Sequence, residues 1–496
     1  MIIARRATRI SILSLMLLLA STLLGSSAAL GQNGEPDTRP DIIVIYLDDV
    51  NPHDGRLWSD PRRTPAMAKL FVETATTFEM SIVETPLCCP GRAGILTGLH
   101  TSNHGVDAND VALFDPRVTV ATELQGAGYQ TFYVGKYMNM LRTRVPRNKV
   151  GRYAKGWDEF DVVYEDNGKW YDYDLWTRSG IKKKGRAPKD HITLMTERRA
   201  SRYIRQASTE APLFAFLSIF HTHVTNRPLE KYRDARRCRS IKPWSPPNFN
   251  EADVSDKPAY IRERAPLRRK TWPMRRYCEE MLGVDDMVAR MVKIQKARGR
   301  FENTLFIFTA DNGVAWGAHR LGQVKGVPYA TRVPLAMSWP ARWGTSARSI
   351  ETPVSNIDLA PTLCEIAGCI MGPFPDGPET SDGLSLLALL DGDVEDLDRD
   401  ALREQSGPDG WPPQFWAIRT TPRSALGQWH YIEYDTGERE LYDSVADPWE
   451  LQNLAADPAY AETVAALAAR LRVEFPGLPS DSPGDLASDR AAPREQ

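Results

Sequence analysis

The sequence predicts an α/β fold, in which a large, mixed but mostly parallel sheet is flanked by helices and followed by a small C-terminal subdomain with an antiparallel sheet. Three observations support this prediction. Several β-branched runs lack polar alternation, which is typical of strands buried on both faces. Longer segments with helical periodicity lie between those runs. Toward the C-terminus, short strand-like runs separated by turn residues replace the long ones.

Four apolar runs are predicted to form strands of the large sheet. Polar or charged residues follow each of them. Ligands of such sheets bind beyond the carboxyl ends of the strands, so we expect the functional site at this edge. The runs span 41–46, 129–134, 213–220 and 304–309, and they are followed by Asp48-Asp49, Gly135-Lys136, His221-Thr222-His223 and Asp311-Asn312-Gly313, respectively.

Helices are predicted between these strands, because segments with helical periodicity lie between the apolar runs. The C-terminal part instead combines short strands with one terminal helix. Helical periodicity is found at 65–73, 121–127, 194–206, 276–297 and 384–390, strand-like runs at 415–419, 429–434 and 440–443, and the terminal helix at 458–475.

The chain is predicted to consist of five segments. The first, 1–30, is a signal peptide, because basic residues precede an apolar stretch that is short for a membrane span and ends in small residues. The protein is therefore expected to be exported, either secreted or periplasmic. No other stretch approaches the roughly 20 apolar residues of a membrane-spanning helix. The other segments are a main domain at 38–390, a connection at 391–413, a C-terminal subdomain at 414–475 and a disordered tail at 476–496.

The charge of the chain excludes a general attraction to nucleic acid, since the formal net charge is −2 at pH 7. Two local clusters are basic, one at 182–186 and one at 262–276. Solvated surface loops are the default interpretation of both. The alternative is a surface that attracts an anionic substrate.

Export also makes disulfide bonds possible. The chain has six cysteines, and Cys238–Cys278 and Cys364–Cys369 are plausible pairs because the partners lie close in sequence. The connectivity stays open at this stage, since spacing alone does not determine it. Cys89 would be left without a partner.

The segment from Cys88 to Gly98 has the pattern C-x-P-x-R-x-x-x-x-T-G. Pro90 suits the first turn of a helix, so Cys88 is predicted just before a helix N-terminus, with Arg92 one turn on. Free N–H groups and a guanidinium would favour an anion there and would lower the pKa of the Cys88 thiol. A zinc ligand and an ordinary thiol are the alternatives for Cys88.

Four oxygen donors follow two of the predicted strands, Asp48 and Asp49 after the first and Asp311 and Asn312 after the last. A carboxylate-rich set without sulfur suits a hard divalent cation, calcium or magnesium, better than zinc. As an alternative, the same residues could simply end strands as turn formers.

Taken together, these motifs resemble those of type I sulfatases, which belong to the alkaline-phosphatase-like superfamily. The Cys88 motif resembles the sulfatase signature, and the two pairs of oxygen donors resemble the family's metal-binding pairs. Gly135-Lys136, Lys325-Gly326 and 440–454 resemble the family's lysine strand, its sulfate-binding lysine segment and its C-terminal signature. The resemblance covers nearly the whole mature chain and implies that 38–390 is a catalytic sulfatase domain with an alkaline-phosphatase-like fold.

The resemblance also implies a mechanism. A formylglycine-generating enzyme would convert Cys88 to formylglycine (3-oxoalanine), whose aldehyde is hydrated. One hydroxyl of the hydrate attacks the sulfur of a sulfate ester, the alcohol of the ester leaves, and a sulfated hemiacetal remains. The second hydroxyl then loses its proton and expels sulfate, which regenerates the aldehyde. The implied catalytic residues are Cys88, Arg92, Lys136, His223 and Lys325; the implied substrate-binding residues are Lys136, His223, Lys325, Asn139 and His319; and the implied ligands of Ca²⁺, or of Mg²⁺, are Asp48, Asp49, Cys88, Asp311 and Asn312.

One detail narrows the resemblance. The segment 135–139, Gly-Lys-Tyr-Met-Asn, resembles the N-acetylglucosamine-6-sulfatase and heparan endosulfatase branch, which implies a sulfated sugar or polysaccharide as substrate. Many sulfatases carry a histidine where Met138 stands, so the group that deprotonates the hemiacetal stays open. His104 and His319 are two further histidines that could belong to the site. For each of them, a structural role is the alternative. Two other functions also stay open: a phosphodiester or phosphonate hydrolase on the same scaffold, or a non-catalytic carbohydrate-binding protein if Cys88 is not modified.

Overall fold

The computed structural model describes residues 37–52, 57–223, 226–407 and 412–478. The predicted signal peptide and most of the predicted tail lie outside these residues. The described residues from Arg39 onward form one compact unit. Its strands are β1 Asp41–Leu47, β2 Thr76–Phe78, β3 Ser81–Ile82, β4 Gln130–Gly135, β5 Glu159–Val163, β6 Asp174–Thr177, β7 Gly180–Lys183, β8 Leu213–Ile219, β9 Thr304–Ala310, β10 Ala336–Ser338, β11 Arg348–Ile350, β12 Val354–Ser355, β13 Ala401–Gln405, β14 Phe415–Thr420, β15 Trp429–Tyr434 and β16 Arg439–Asp443.

Ten of these strands form one large sheet in the order β11-β2-β10-β9-β1-β8-β4-β5-β6-β7. The four strands predicted from apolar runs are neighbours at its centre, where β1 pairs in parallel with both β8 and β9, and β4 pairs in parallel with β8. Antiparallel pairs occur toward both edges, for example between β5 and β6. The prediction of a mixed, mostly parallel sheet is confirmed.

The centre of the sheet is covered on both faces, which explains why its strands are continuously apolar. In β1, Ile42, Val44 and Tyr46 belong to the hydrophobic core on one face. Ile43 and Ile45, which alternate with them, belong to the core on the other face. A one-residue slip of β1 would exchange the two sets, so the register of this strand is tightly specified.

Helices supply these two layers. The longest helix, α8 (Arg275–Ala297), packs with α6 (Ile192–Gln206) on one face of the sheet. Both helices coincide with segments of predicted helical periodicity. The predicted helix at 65–73 is an α-helical turn that continues as a π-helical turn, Lys69–Glu73. The helices are α1 Pro65–Ala68, α2 Cys88–Thr97, α3 Thr101–His104, α4 Val120–Gly126, α5 Leu141–Arg144, α6 Ile192–Gln206, α7 Ala259–Arg262, α8 Arg275–Ala297, α9 Pro340–Trp343, α10 Leu359–Ala367, α11 Leu387–Asp391 and α12 Ala461–Glu474.

The C-terminal part contains an antiparallel sheet of four strands, β13-β14-β15-β16. The predicted antiparallel sheet of this subdomain is thereby confirmed. Helix α12 packs on this sheet, with Leu467 and Leu471 buried against Ile418 and Tyr431. One difference concerns β13, which lies inside the segment interpreted as a connection, 391–413. The sheet therefore starts before the boundary that the sequence suggests.

One of the two plausible cysteine pairs is a disulfide. Cys238 and Cys278 are bonded across a sequence separation of 40 residues. Cys364 and Cys369 are both free thiols, as are Cys88 and Cys89. Within the described ranges, none of the helices has the length and apolar character that crossing a membrane would require.

Candidate active site

The carboxyl ends of four neighbouring strands bring the predicted polar residues together. Asp48 and Asp49 follow β1, and Asp311 follows β9 beside it. Lys136 follows β4, and His223 follows β8 on the other side of β1. Because parallel neighbours end at the same edge of a sheet, residues far apart in sequence converge there.

Three buried carboxylates form the centre of this cluster. Asp48, Asp49 and Asp311 each offer an oxygen within 4.8 Å of the others, and none of the three is more than 2% exposed. The Asn312 amide donates to Asp49 Oδ1 at 2.7 Å, whereas its own Oδ1 is buried without a hydrogen-bond partner. Asp49 has a left-handed backbone, with φ of 63°, which turns the chain at the end of β1.

This donor set fits a hard divalent cation. Carboxylates crowded in a buried space repel one another unless a positive charge lies between them. The unpartnered Asn312 oxygen is the type of ligand that calcium and magnesium accept. Asp48 also groups with Cys88 and His223, whose ligand atoms lie within 4.8 Å of one another, so Cys88 lies at the same centre.

Cys88 occupies the first turn of α2, and the N-terminus of this helix lies against the end of β9. Gly91 makes this approach possible, because a Cβ at that position would lie 2.0 Å from the Asp311 carbonyl oxygen. Lys325 Nζ lies 3.3 Å from Cys88 Sγ and donates to Asp49 Oδ1 at 2.7 Å. The sulfur therefore lies between an ammonium group and the carboxylate cluster.

The expected low pKa of the Cys88 thiol is wrong. Burial raises the pKa of Cys88 to about 11, and this outweighs the attraction of Lys136 and Lys325. The helix start and nearby cations act in the predicted direction, but the thiol is almost completely shielded from water. Burial therefore favours the protonated form of an unmodified Cys88 thiol at neutral pH.

Arg92 points into the protein rather than toward solvent. Its Nη1 donates to Ser218 Oγ at 2.7 Å and to the Lys136 carbonyl oxygen at 3.0 Å. Its other nitrogens face Asp311 and Asp48. The side chain is 2% exposed, so its guanidinium holds the strand ends together.

Lys136 and His223 border the cluster from the side of β4 and β8. Lys136 Nζ donates to Asp48 Oδ2, and although burial favours the neutral amine, Asp48 raises the pKa of Lys136 above its usual value. His223 is half-buried and stacks on Phe220, with 4.7 Å between ring centroids. Burial lowers the pKa of His223 to about 4, so its imidazole is neutral at pH 7.

Three other predicted or weighed residues lie elsewhere. Asn139 donates from its backbone N–H to Cys89 Sγ at 3.1 Å and from its side chain to Asn167 at 3.0 Å. His319 Nδ1 lies 2.6 Å from a Glu251 oxygen. His104 Nδ1 accepts from the Val106 N–H at 3.0 Å. In the contacts found among the described residues, none of the three touches the carboxylate cluster.

His221, two residues before His223, is fully buried. Its Nε2 lies 2.7 Å from Thr193 Oγ1, and burial lowers the pKa of His221 to about 3. Its carbonyl oxygen accepts from the Asp48 N–H at 2.6 Å. His221 therefore supports the loop that carries His223.

Sequence reasoning missed two hydroxyl residues of the site. Ser218 accepts the hydrogen bond of Arg92, and Thr222 Oγ1 donates to the Asp49 carbonyl oxygen at 2.8 Å. A signal for Ser218 was present, since it interrupts the apolar run at 213–220. A polar side chain inside a strand buried on both faces needs a partner, and here the partner is Arg92.

The fold and the site together indicate a class of protein, an enzyme with a mostly parallel α/β sheet that hydrolyses anionic esters. Its cluster lies at the edge where ligands of mostly parallel sheets bind. Two ammonium groups and a cation-binding set surround a single cysteine at a helix start, which suits the binding of an anionic group.

The chain belongs to the sulfatase family and is a sulfuric ester hydrolase. The family model described as sulfatase matches residues 40–369. A second model, described as the C-terminal part of N-sulphoglucosamine sulphohydrolase, matches residues 328–474. The resemblance inferred from the motifs is thereby confirmed.

Individual relatives agree with this assignment. N-acetylglucosamine-6-sulfatase of Capra hircus is 27% identical over 464 residues, covering 84% of this chain and 80% of the relative. An arylsulfatase of Volvox carteri is 27% identical, covering 92% of this chain and 76% of the relative. Among solved structures, a protein in complex with its substrate D-glucosamine-2-N,6-O-disulfate matches with a TM-score of 0.69 and 20% identity, over 88% of this chain and 98% of that one.

Proposed function

We propose that the protein releases inorganic sulfate from a sulfated sugar, using Cys88 as formylglycine and one divalent cation, calcium or alternatively magnesium. The observation that carries this proposal is the position of Cys88 Sγ, 3.3 Å from Lys325 Nζ and 3.7 Å from Asp48 Oδ1. An oxygen replacing this sulfur would lie among the groups that bind a cation and an anion. Residues 38–390 would form the catalytic domain and 414–475 the C-terminal subdomain.

Formylglycine would supply what a buried thiol lacks, namely a hydrated aldehyde with one hydroxyl to attack sulfur and a second to release sulfate. Asp48, Asp49, Asp311 and Asn312 would hold the cation, together with the residue at position 88. The bound cation would supply positive charge to the attacking oxygen and to the sulfate ester. The oxidation would be made by a formylglycine-generating enzyme during maturation and export of the chain.

The charged side chains of the site have distinct tasks in this proposal. Lys325 is the more open of the two lysines, with 20% of its side chain exposed, and would bind a sulfate oxygen or the departing oxygen. Lys136, beside Asp48, would bind a second sulfate oxygen. His223 offers a neutral imidazole at the rim, suited to a hydrogen bond with the substrate. Arg92 is a positioning residue, because its donors are occupied by the protein.

The substrate class rests on sequence similarity. The relative from Capra hircus is named for N-acetylglucosamine 6-sulfate, and the Gly-Lys-Tyr-Met-Asn segment, 135–139, resembles the same branch. A structural neighbour is described with a doubly sulfated glucosamine as its substrate. A glucosamine 6-sulfate, alone or within a polysaccharide, is therefore the proposed substrate.

Two measurements on the exported protein test this function. Mass spectrometry of the peptide that contains Cys88 should show the loss in mass that replacement of SH and H by O requires. Sulfate release should then be assayed with D-glucosamine 6-sulfate, an aryl sulfate, an aryl phosphodiester and an aryl phosphonate. Hydrolysis of the phosphorus esters without sulfate release would overturn the proposal, and an unmodified Cys88 in a fully active enzyme would overturn its mechanism.

A further inference from the structure

We propose that a groove beside the carboxylate cluster, with Trp244 and Trp449 on its walls, binds a neighbouring sugar unit of a sulfated polysaccharide. The sugar class rests on the function proposed above. The groove itself is a feature of the fold, and neither the proposed cation nor the sulfate group at the carboxylate cluster accounts for it. With a volume of about 850 Å³, it lies within the range of roughly 300–1,000 Å³ that is usual for small-ligand sites.

The two indole rings are placed to contact a sugar ring. Trp244 and Trp449 are both half-buried, their ring centroids are 6.3 Å apart, and their planes are inclined by 60°. An indole combines a large apolar face with one polar N–H, which suits a ligand with apolar ring faces and hydroxyl edges. Pro243 and Pro246 extend the apolar part of the wall.

The charge of the groove favours an anionic ligand. Its charged lining residues are Asp60, Arg62, Arg63 and Lys242, which sum to a net positive charge. Asp60 pairs with both arginines, the 80% exposed Arg62 and the buried Arg63, so Lys242 is the cation of this set that Asp60 does not engage. Lys242 is exposed, and its ammonium group has no ion pair within the described part of the chain. A sulfate group on the ligand would therefore find a cation at the rim.

The position of Trp244 is built into the fold. Its backbone pairs with that of Trp272, with N–H to carbonyl distances of 3.4 and 2.9 Å. Trp272 in turn stacks on Trp316, with ring centroids 5.8 Å apart. Trp316 belongs to the loop that leaves the cluster after Asn312, so the wall of the groove is anchored to the same loop as the site.

The groove also lies within reach of the reacting centre. Pro52 lines it and is three residues from Asp49, so their Cα atoms are at most about 11 Å apart. A smaller groove shares Pro52, Trp244 and Trp449 with it and is lined by Asn51, which exchanges two hydrogen bonds of 2.7 Å with the Val314 backbone. The groove and the site are therefore close neighbours, as binding of adjacent units of one polysaccharide chain requires.

The test compares a monosaccharide with a longer ligand. D-glucosamine 6-sulfate and a sulfated tetrasaccharide that ends in the same unit are assayed for sulfate release at low salt. Wild type should have the higher kcat/KM for the tetrasaccharide. Trp449→Ala should lower the ratio of kcat/KM for tetrasaccharide to monosaccharide about tenfold, mainly through KM, whereas Trp449→Phe should restore most of it.

Lys242→Ala gives a test that does not depend on packing, because the side chain is exposed. It should lower the same ratio several-fold, and the loss should shrink in 0.15 M salt as charges are screened. Lys182→Ala removes another exposed lysine, on β7 at the far edge of the sheet, and serves as the matched control. Melting temperatures of all variants show whether they are folded.

The possible outcomes distinguish a failure of the groove proposal from a failure of the proposed function. If wild type releases sulfate from both sugars and the ratio is the same in wild type, Trp449→Ala and Lys242→Ala, the groove proposal is overturned and the sulfatase function stands. If wild type hydrolyses an aryl sulfate but neither sugar, the proposed substrate class is overturned, and the saccharide occupant of the groove with it.

Discussion

Arg92 donates two hydrogen bonds to one carboxylate oxygen of Asp311, from Nε at 3.0 Å and from Nη2 at 2.7 Å. Both side chains are buried. Because Arg92 also donates to Ser218 and to the Lys136 carbonyl oxygen, one guanidinium joins the ends of β9, β8 and β4. It brings a fixed positive charge to a set of carboxylates that would otherwise repel one another.

Replacement of Arg92 should therefore destabilise the fold as well as the site. Removing one partner of a buried ion pair leaves the other uncompensated, so Arg92→Met should lower the free energy of unfolding by about 3–5 kcal/mol. Arg92→Lys keeps the charge but loses the fork of donors, so its loss should be smaller. Urea denaturation measures both, and an Arg92→Met variant as stable as wild type would contradict this role.

Cys88→Ala should abolish sulfate release while the protein stays folded, because position 88 provides the nucleophile in the proposed mechanism. Cys88→Ser should also fail to turn over, since a serine ester has no second hydroxyl on the same carbon to expel sulfate. Cys89→Ser is the matched control and should keep most of the activity. Steady-state sulfate release and circular dichroism measure these effects, and near-normal turnover by Cys88→Ala would refute the assignment.

Removal of the divalent cation should abolish activity reversibly. The purified enzyme is expected to contain about one calcium or magnesium per chain, and extended chelation should stop sulfate release until the metal is restored. Asn312→Ala removes an uncharged ligand oxygen and should weaken the response to added metal, whereas the exposed Asp376→Asn should not. Elemental analysis without either metal, combined with activity that survives chelation, would contradict the site.

Acid should destabilise the protein partly through Glu84. Although burial opposes ionisation, contact with His100 lowers the pKa of Glu84 from its ordinary value of 4.5 to about 2. A depressed carboxyl pKa contributes stability above pH 4.5 that is lost as pH falls toward 2. This difference corresponds to a contribution of up to about 3 kcal/mol.

Urea denaturation between pH 6 and pH 3 should therefore show that wild type loses stability more steeply than Glu84→Gln. The variant should be the less stable of the two at pH 6, and the gap should narrow as the medium becomes acidic. A gap that stays constant over this range would show that Glu84 is ionised no more readily in the folded state than in the unfolded one.

The two basic clusters should differ in their effect on a polyanionic substrate. Arg268, Arg269 and Lys270 are exposed and close in sequence to Trp272, which pairs with Trp244 at the groove. Neutralising these three should lower kcat/KM for sulfated polysaccharide at 0.01 M salt. The loss should fade at 0.15 M, because the Debye length shrinks from about 30 Å to about 8 Å.

The cluster at 182–186 is the control for this effect. Its lysines begin on β7, five strands from β1, which places them on the order of 24 Å from the centre of the sheet. Neutralising Lys182 and Lys183 should change kcat/KM little at either salt concentration. Equal losses of kcat/KM after neutralising either cluster would indicate a general effect of charge. They would contradict a specific attraction of the polysaccharide toward the groove.

The sequence predicted the centre of the fold well because its strands are buried on both faces. A strand such as β1 has no solvent-facing positions, so its apolar run stands out at once. The edge strands were missed for the opposite reason. β7 reads Gly-Ile-Lys-Lys and is largely exposed, and its pairing with β6 depends on a neighbour that local sequence does not specify.

The candidate site was predictable where it depends on strand ends and not where it depends on burial. Asp48, Asp49 and Asp311 converge because parallel strands finish at one edge. The direction in which Arg92 points and the high pKa of Cys88 follow from how completely the surrounding layers exclude water. That exclusion is a property of the packed structure, which no local pattern reports.

The early start of the C-terminal sheet has a practical consequence for anyone who shortens this chain. Glu404 on β13 accepts hydrogen bonds from Arg419 at 2.9 Å and from Thr331 of the main domain at 2.5 Å. A fragment that stops within 391–413 would either lack Glu404 or leave it buried without its arginine. A shortened enzyme should therefore retain the whole C-terminal sheet and the helix that packs on it, up to Phe475.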